Sequence, residues 1–154
     1  MNTGDLAPDF ELAADDGSML KLSDELTKGP VVLFFYPKAM TSGCTKESCH
    51  FRDLASEFAA VDGRRLGISA DSVEKQHQFS EKHSFDYPLL SDPDKVVAKQ
   101  FGVKRSLMPI NKRSTFVIDT DRRVLAVIES ERNMDMHADD ALEVLRKRKA
   151  AASS

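Results

Sequence analysis

The sequence predicts an α/β fold: a central mixed β-sheet flanked by helices, with an N-terminal β-hairpin. Three observations predict it. Residues 31–35 are continuously apolar and β-prone, which suits a strand covered on both faces. Strand-like and helix-like patterns alternate after that run. A closing pair of strand patterns, around the turn Asp119-Thr120-Asp121-Arg122, then adds antiparallel strands.

The elements follow in order. Phe10 and Leu12 alternate with polar residues, Asp15-Asp16-Gly17-Ser18 reads as a turn, and residues 19–22 resume, giving the hairpin. Gly29-Pro30 punctuates the chain before the apolar strand at 31–35. Past Pro37 and a short polar loop, Phe51, Leu54, Ala55 and Phe58 fall on one helical stripe. Extrapolated backwards, that helix begins near Gly43-Cys44. Leu66 and Ile68 alternate within a second strand at 64–69. Residues 72–82 are polar and helical, with Val73 and Phe79 as inward candidates.

Asp92-Pro93 reads as a helix start, an N-cap acid followed by proline at the first helical position. Val96, Val97 and Phe101 would form its buried face and Gly102 its stop. Residues 115–118 form a third core strand and 124–128 its hairpin partner. Asp135 is placed to cap a last helix, with Ala138, Ala141, Leu142 and Leu145 inward. The expected order is ββ, β, α, β, α, α, β, β, α, in a single domain over residues 1–149 with a frayed tail at 150–154.

Bulk properties narrow the function. The 154 residues are 41% hydrophobic and 31% charged, an ordinary globular composition that excludes a disordered or disulfide-packed chain. A net charge of −3 gives no overall basic field for nucleic acid. The cluster Arg146-Lys147-Arg148-Lys149 reads as a solvated helix end complementing the macrodipole. The longest apolar run, 31–36, is far too short to span a bilayer, and the first residues carry no basic start or apolar run of an export signal. A cytoplasmic location, where thiols stay reduced, is expected.

Cys44 and Cys49 are the informative pair. A bridge between them would close a very small loop and be a poor structural staple. Cys44 lies where a buried strand hands over to a helix, and the unpaired N–H groups and partial positive charge of a helix N-terminus favour thiolate over thiol. The thiolate is the nucleophile. Gly43 leaves room for a small substrate to approach backbone N–H groups. Thr41 offers a short hydroxyl, and Pro37 shields the strand exit. Five residues along an intact helix point about 140° apart, with Cα atoms about 8–9 Å apart. A disulfide needs less than ~7 Å. A bridge between these two cysteines therefore requires the first turns to unwind.

Pro37-Lys38-Ala39-Met40-Thr41-Ser42-Gly43-Cys44 fits P-x-x-x-T-x-x-C, and here the chain resembles the peroxiredoxins. Cys49, five residues on, resembles the bacterioferritin comigratory protein or peroxiredoxin Q subclass. The likeness runs along nearly the whole chain. It takes in Gly4-Asp5-Leu6-Ala7-Pro8-Asp9-Phe10, then Leu89-Leu90-Ser91-Asp92-Pro93-Asp94 with Phe101-Gly102-Val103, then Arg113-Ser114-Thr115-Phe116-Val117-Ile118-Asp119. The resemblance implies a thioredoxin-like fold with no metal or organic cofactor. It implies that Cys44 is the peroxidatic cysteine and Cys49 the resolving one. Thr41 matches the threonine that hydrogen-bonds peroxide, Pro37 the shielding proline, and Arg113 the arginine that polarises peroxide and thiolate. Glu47 matches a residue that often orients that arginine. One departure is Ser42, where many members of the subclass carry proline; it removes no donor that the chemistry needs.

The implied activity is reduction of hydrogen peroxide and alkyl hydroperoxides by the Cys44 thiolate. A Cys44–Cys49 disulfide follows, which thioredoxin or a similar dithiol reduces. A monomer is expected, since both cysteines lie in one chain. Two other functions suit the same residues: a thioredoxin-like disulfide oxidoreductase, against which Cys-x4-Cys in place of Cys-x-x-Cys argues, and a redox-sensing interaction module. Cys44, Cys49 and His50 fall short of zinc spacing. His77 and His83 are expected to be solvated. Leu107 and Met108, ahead of Pro109, are candidates for the substrate entrance, with ordinary packing an equal account.

Overall fold

The computed structural model describes residues 1–103 and 112–153. It is a seven-stranded mixed sheet with helices on both faces. In chain order the elements are β1 (Glu11–Ala14), β2 (Met19–Lys21), α1 (Leu22–Leu26), β3 (Val31–Phe35), α2 (Ser42–Asp53), α3 (Ala55–Ala59), β4 (Arg64–Ser69), α4 (Val73–His83), β5 (Leu89–Ser91), α5 (Val96–Gln100), β6 (Ser114–Ile118), β7 (Val124–Glu129) and α6 (Met134–Ser153). Across the sheet the order is β2-β1-β5-β4-β3-β6-β7. The three central strands β5, β4 and β3 are parallel neighbours, while β1 and β6 pair antiparallel at either side.

Strand β3 is buried at every position because both faces are covered. Its side chains alternate, as the pleat requires. Val31, Leu33 and Phe35 join Leu22 and Leu26 of α1, Val97 and Ala98 of α5, and Phe101 on one face. Val32, Phe34 and Tyr36 join Phe51 of α2, Phe58 of α3, Phe79 of α4 and Leu142 and Leu145 of α6 on the other. Gly67 in β4 is where this second face is tightest. A Cβ there would stand 2.8 Å from a Leu89 methyl and 2.9 Å from the Phe34 ring.

The expected α/β architecture, hairpin and closing strands are all present, and four local readings are corrected. The stripe over Phe51, Leu54, Ala55 and Phe58 belongs to two helices, because Leu54 leaves helical geometry (φ −94°, ψ 20°). The stripe survives because one residue's departure scarcely turns the chain. Asp92 does not begin α5. Its N–H donates to Ser69 O at the end of β4, and its carboxylate reaches forward to the N–H groups of Val97 and Ala98. That carboxylate serves the helix start from a distance while Lys95 turns the chain in the left-handed region (φ 57°). The last helix is capped by Asn133, whose side chain accepts from Met136 N–H at 3.2 Å, with Asp135 inside the first turn.

The same helix continues to Ser153 through an alanine run. The basic cluster is consequently not a helix end. Arg148 donates to Asp119 at 2.8 Å and Lys149 to Ala60 O at 2.6 Å, tying α6 to the loop after β6 and to the end of α3. Helix α1 and strand β5 had no counterpart among the expected elements; at five and three residues they are too short to show a period.

Candidate active site

Strand β3 delivers the chain to the site. Tyr36 continues its pairing with β4 (N–H to Ile68 O, 3.1 Å), and its hydroxyl donates to Gln76 of α4. Half-buried Pro37 follows, and the loop is pinned where Ala39 N–H donates to Asp71 at 2.7 Å. Met40 adopts a positive φ of 68°. Thr41, extended at φ −79° and ψ 157°, is then the N-cap of α2. Its side chain makes no capping bond; the hydroxyl, on the exposed side, donates to Lys38 O at 2.8 Å. Cys44 is thus the third residue of a helix whose first-turn N–H groups the Thr41 side chain leaves uncapped.

The arginine comes from the neighbouring strand. Arg113 immediately precedes β6, the antiparallel neighbour of β3, and the Phe35–Ser114 register sets it beside the loop after β3. It is 6% exposed, and Cys44 is fully buried. Arg113 Nη2 donates to Cys44 Sγ at 3.4 Å, and Nη1 donates to Glu47 Oε1 at 2.7 Å. Gly43 serves this approach. A Cβ there would lie 3.2 Å from Arg113 Nη2 and 3.3 Å from the Met134 methyl. The space expected for substrate beside Gly43 therefore holds the guanidinium and Met134. Glu47, one turn after Cys44, is fully buried and faces Arg113.

The structure brings Cys44, Arg113 and Glu47 into direct contact around a helix start formed by Thr41, with Pro37 in the loop that leads to it. Cys49 lies further along α2, half-buried, and both cysteines are free. Leu107 and Met108 lie outside the described residues. His77 is half-exposed and faces Glu81, as expected of a solvated position, but His83 is stacked on Phe85 and edge-on to Phe79.

Burial pushes the Glu47 carboxyl up to about 8, against the opposing pull of Arg113. Burial works against the charge of Arg113, but Glu47 and Cys44 outweigh it and hold the guanidinium above its usual value. Burial raises the Cys49 thiol, with Arg52 pulling the other way, so Cys49 rests as a thiol. The Glu47 shift has a stability consequence. An unfolded glutamate ionises near ~4.3. From there up to about 8 the native state keeps a proton that the unfolded state has lost, so stability falls as pH rises across that window. Glu47→Gln removes this component. Urea unfolding followed between about pH 5 and about pH 8 should show a shallower decline in the variant than in the parent.

Sequence reasoning missed the groups beneath Glu47. His137 of α6 is fully buried, with Nδ1 2.7 Å from Thr115 Oγ1 and 3.5 Å from Glu47 Oε2, and Nε2 2.8 Å from Ser130 O. One signal could have found it: Met134, His137, Ala138, Ala141, Leu142 and Leu145 share an inward helical stripe. It also missed Tyr87, whose buried hydroxyl donates to Ser48 O of α2 at 2.7 Å.

Known proteins resemble this chain in sequence and fold. Residues 3–127 match the AhpC/TSA family. Peroxiredoxin Bcp of Bacillus subtilis is 41% identical over 149 residues, covering 93% of this chain and 94% of that protein. The crystal structure of peroxidoxin BcpB from Mycobacterium tuberculosis superposes with a TM-score of 0.92 at 62% identity, over 96% of this chain and 97% of that one. The bacterioferritin comigratory protein of Xanthomonas campestris, a structure concerned with alkyl peroxide reduction, gives a TM-score of 0.83 at 29% identity over 91% and 92% of the two chains.

Proposed function

This chain belongs to the AhpC/TSA family, as a peroxiredoxin of the Bcp type, and from that premise we propose how its own residues carry the reaction. It is an enzyme, a thiol-dependent peroxidase that acts on peroxides and is returned to the thiol form by thioredoxin-type reductants. The observation that carries the assignment of roles is the Arg113 Nη2 to Cys44 Sγ contact at the start of α2.

In this reading the Cys44 thiolate attacks the terminal peroxide oxygen in line. The O–O bond breaks, the sulfur becomes a sulfenic acid, and the alkoxide or hydroxide that leaves takes up a proton. Arg113, the first-turn N–H groups of α2 and the Thr41 hydroxyl stabilise charge on the departing oxygen. Rotation of Thr41 away from Lys38 O frees its donor for that oxygen. Pro37 shields the sulfur from bulk water. Glu47 holds Arg113 beside the sulfur.

The Cys49 thiol then condenses with the sulfenic acid, releasing water and forming a Cys44–Cys49 disulfide that an external dithiol reduces by exchange. Both cysteines sit on one helix, so the first turns of α2 open. Their sequence is suited to this. Residues 42–48 contain Gly43, Thr45 and two serines, all weak helix formers. The second half is anchored instead. Phe51 stacks on Phe34 with centroids 4.1 Å apart, and Arg65 donates to Phe51 O at 2.7 Å. At the boundary stands Tyr87, bonded to Ser48 O.

Opening past Ser48 breaks that bond. Tyr87→Phe should therefore speed disulfide formation about three- to tenfold, the equivalent of a buried hydrogen bond of roughly 0.5–1.5 kcal/mol. Quenched-flow trapping of the sulfenic acid measures it; an unchanged rate would place the opening short of Ser48.

The cycle needs no second subunit, so the working form is a monomer, with hydrogen peroxide and alkyl hydroperoxides as substrates and thioredoxin as reductant. A compartment that keeps thiols reduced suits it, and we place it in the cytoplasm. Among the described residues no helix is long and apolar enough to cross a membrane, and the net charge of −3 supports a protein that does not bind nucleic acid. Stopped-flow mixing of reduced protein with hydrogen peroxide, then mass spectrometry after thiol blocking, tests the scheme. A fast reaction that loses two hydrogens, with the bridge mapped to Cys44 and Cys49, supports it. A Cys44 no faster than a free thiol would overturn it.

A further inference from the structure

We propose that His137 is a positioning residue of the peroxidase reaction: together with Thr115 it holds one proton against Glu47, and that proton decides whether Arg113 is shared with Glu47 or given to Cys44.

The geometry fixes most of the protons. Ser130 O only accepts, so His137 Nε2, 2.8 Å away, carries a hydrogen. In the neutral ring Nδ1 is then an acceptor, and the Thr115 hydroxyl at 2.7 Å donates to it. Burial favours that neutral ring, with the Ser130 carbonyl opposing and Arg113 adding to the effect. Glu47 Oε1 accepts from Arg113, but Oε2, buried and 3.5 Å from Nδ1, has no hydrogen-bond partner among the described residues. A buried carboxylate oxygen without a donor, facing a ring lone pair, is costly. A proton on Oε2 removes the buried charge, and it shares Nδ1 with the Thr115 hydroxyl as the longer of two contacts, 3.5 Å beside 2.7 Å.

The consequence falls on Cys44. With the proton in place, Glu47 is neutral, and Arg113 with the Cys44 thiolate forms a balanced buried pair. Without it, two anions, Cys44 and Glu47, compete for one guanidinium in a water-poor site, and the thiolate loses its share. Among the described residues, the other charged groups that face the cluster are Glu131, after β7, which accepts from Arg113 N–H at 3.1 Å, and Asp140 on α6, which acts on His137.

The proposal rests on Cys44 as the reacting thiol, and its test separates the two. The rate constant of reduced protein with hydrogen peroxide is measured by stopped flow from about pH 6 to about pH 10. The parent should lose about tenfold between pH 7 and pH 9, since Glu47 gives up its proton near 8. Glu47→Gln, which cannot ionise, should lose that alkaline decline: the ratio of its rates at pH 7 and pH 9 should lie within about twofold of one. His137→Phe removes the acceptor for the Glu47 proton and should move the decline to lower pH by about one unit. His137→Asn, which returns an amide oxygen near Nδ1, should move it back. Circular dichroism checks that each variant is folded.

A decline that persists in Glu47→Gln, or keeps its position in a folded His137→Phe protein, overturns the proposal while leaving Cys44 as the nucleophile. The absence of any fast reaction at any pH overturns both.

Discussion

Replacement of Cys44 by serine is expected to abolish peroxide turnover. The rate of peroxide loss should fall to that of buffer, about 10³-fold or more below the parent, equivalent to at least about 4 kcal/mol of transition-state stabilisation. The reason is chemical rather than architectural. A serine hydroxyl at the third position of α2 meets the same helix start and the same Arg113, but it does not ionise near neutrality and its oxygen accepts no oxygen from a peroxide. The fold should tolerate the change. The side chain is fully buried, the two groups are nearly the same size, and Arg113 Nη2 can donate to either atom. Coupled turnover and thermal unfolding, measured on the same preparation, separate the two effects. A melting temperature within a few degrees of the parent together with no turnover is the expected pair. Substantial activity in this variant would remove Cys44 from the reaction.

Why Cys44 was legible and its supports were not is a matter of sequence distance. The sulfur, Thr41 and Pro37 lie within eight residues, between an apolar strand and an amphipathic stripe, so local pattern alone placed a cysteine at a helix start. Arg113 is different. As a lone residue before a strand it reads as a surface arginine, and only the resemblance to a known family singled it out. The β3–β6 pairing that buries it is a long-range fact that no window of sequence carries. His137 is more remote still, 93 positions from Cys44, and Tyr87 lies 43 positions away with no local pattern to single it out; each acts through a backbone or carboxyl oxygen of α2. The helix stripe announced that His137 points inward, but not that Glu47 stands opposite. The misread start of α5 has the same origin: Asp92 bonds two N–H groups five and six residues on, a reach that the usual cap pattern does not include.

Cys49→Ser should divide the cycle where Cys44→Ser erases it. Its first reaction with peroxide should proceed within about twofold of the parent rate, because Cys49 touches neither the sulfur nor Arg113 among their hydrogen-bond partners. Recycling by thioredoxin should fall about 100-fold or more, since the intramolecular thiol that condenses with the sulfenic acid is gone, and with it an effective concentration that external thiols do not match. The mass spectrum after one turnover should show Cys44 heavier by one oxygen and no loss of two hydrogens. With excess peroxide a second oxygen should follow, giving the sulfinic acid that the disulfide otherwise prevents. Normal cycling in this variant would show that another thiol resolves the sulfenic acid. The result also bears on α2 itself. In the parent, the proposed scheme has the sulfenic acid survive only as long as the first turns of α2 stay wound. The peroxide concentration at which the parent over-oxidises therefore reports the opening rate of a helix held at Ser48 by Tyr87 and at Phe51 by Phe34. Tyr87→Phe should raise that concentration in the parent and leave it unchanged in the Cys49→Ser background. In that background no opening can rescue the sulfur, and the difference between the two isolates the latch from the chemistry.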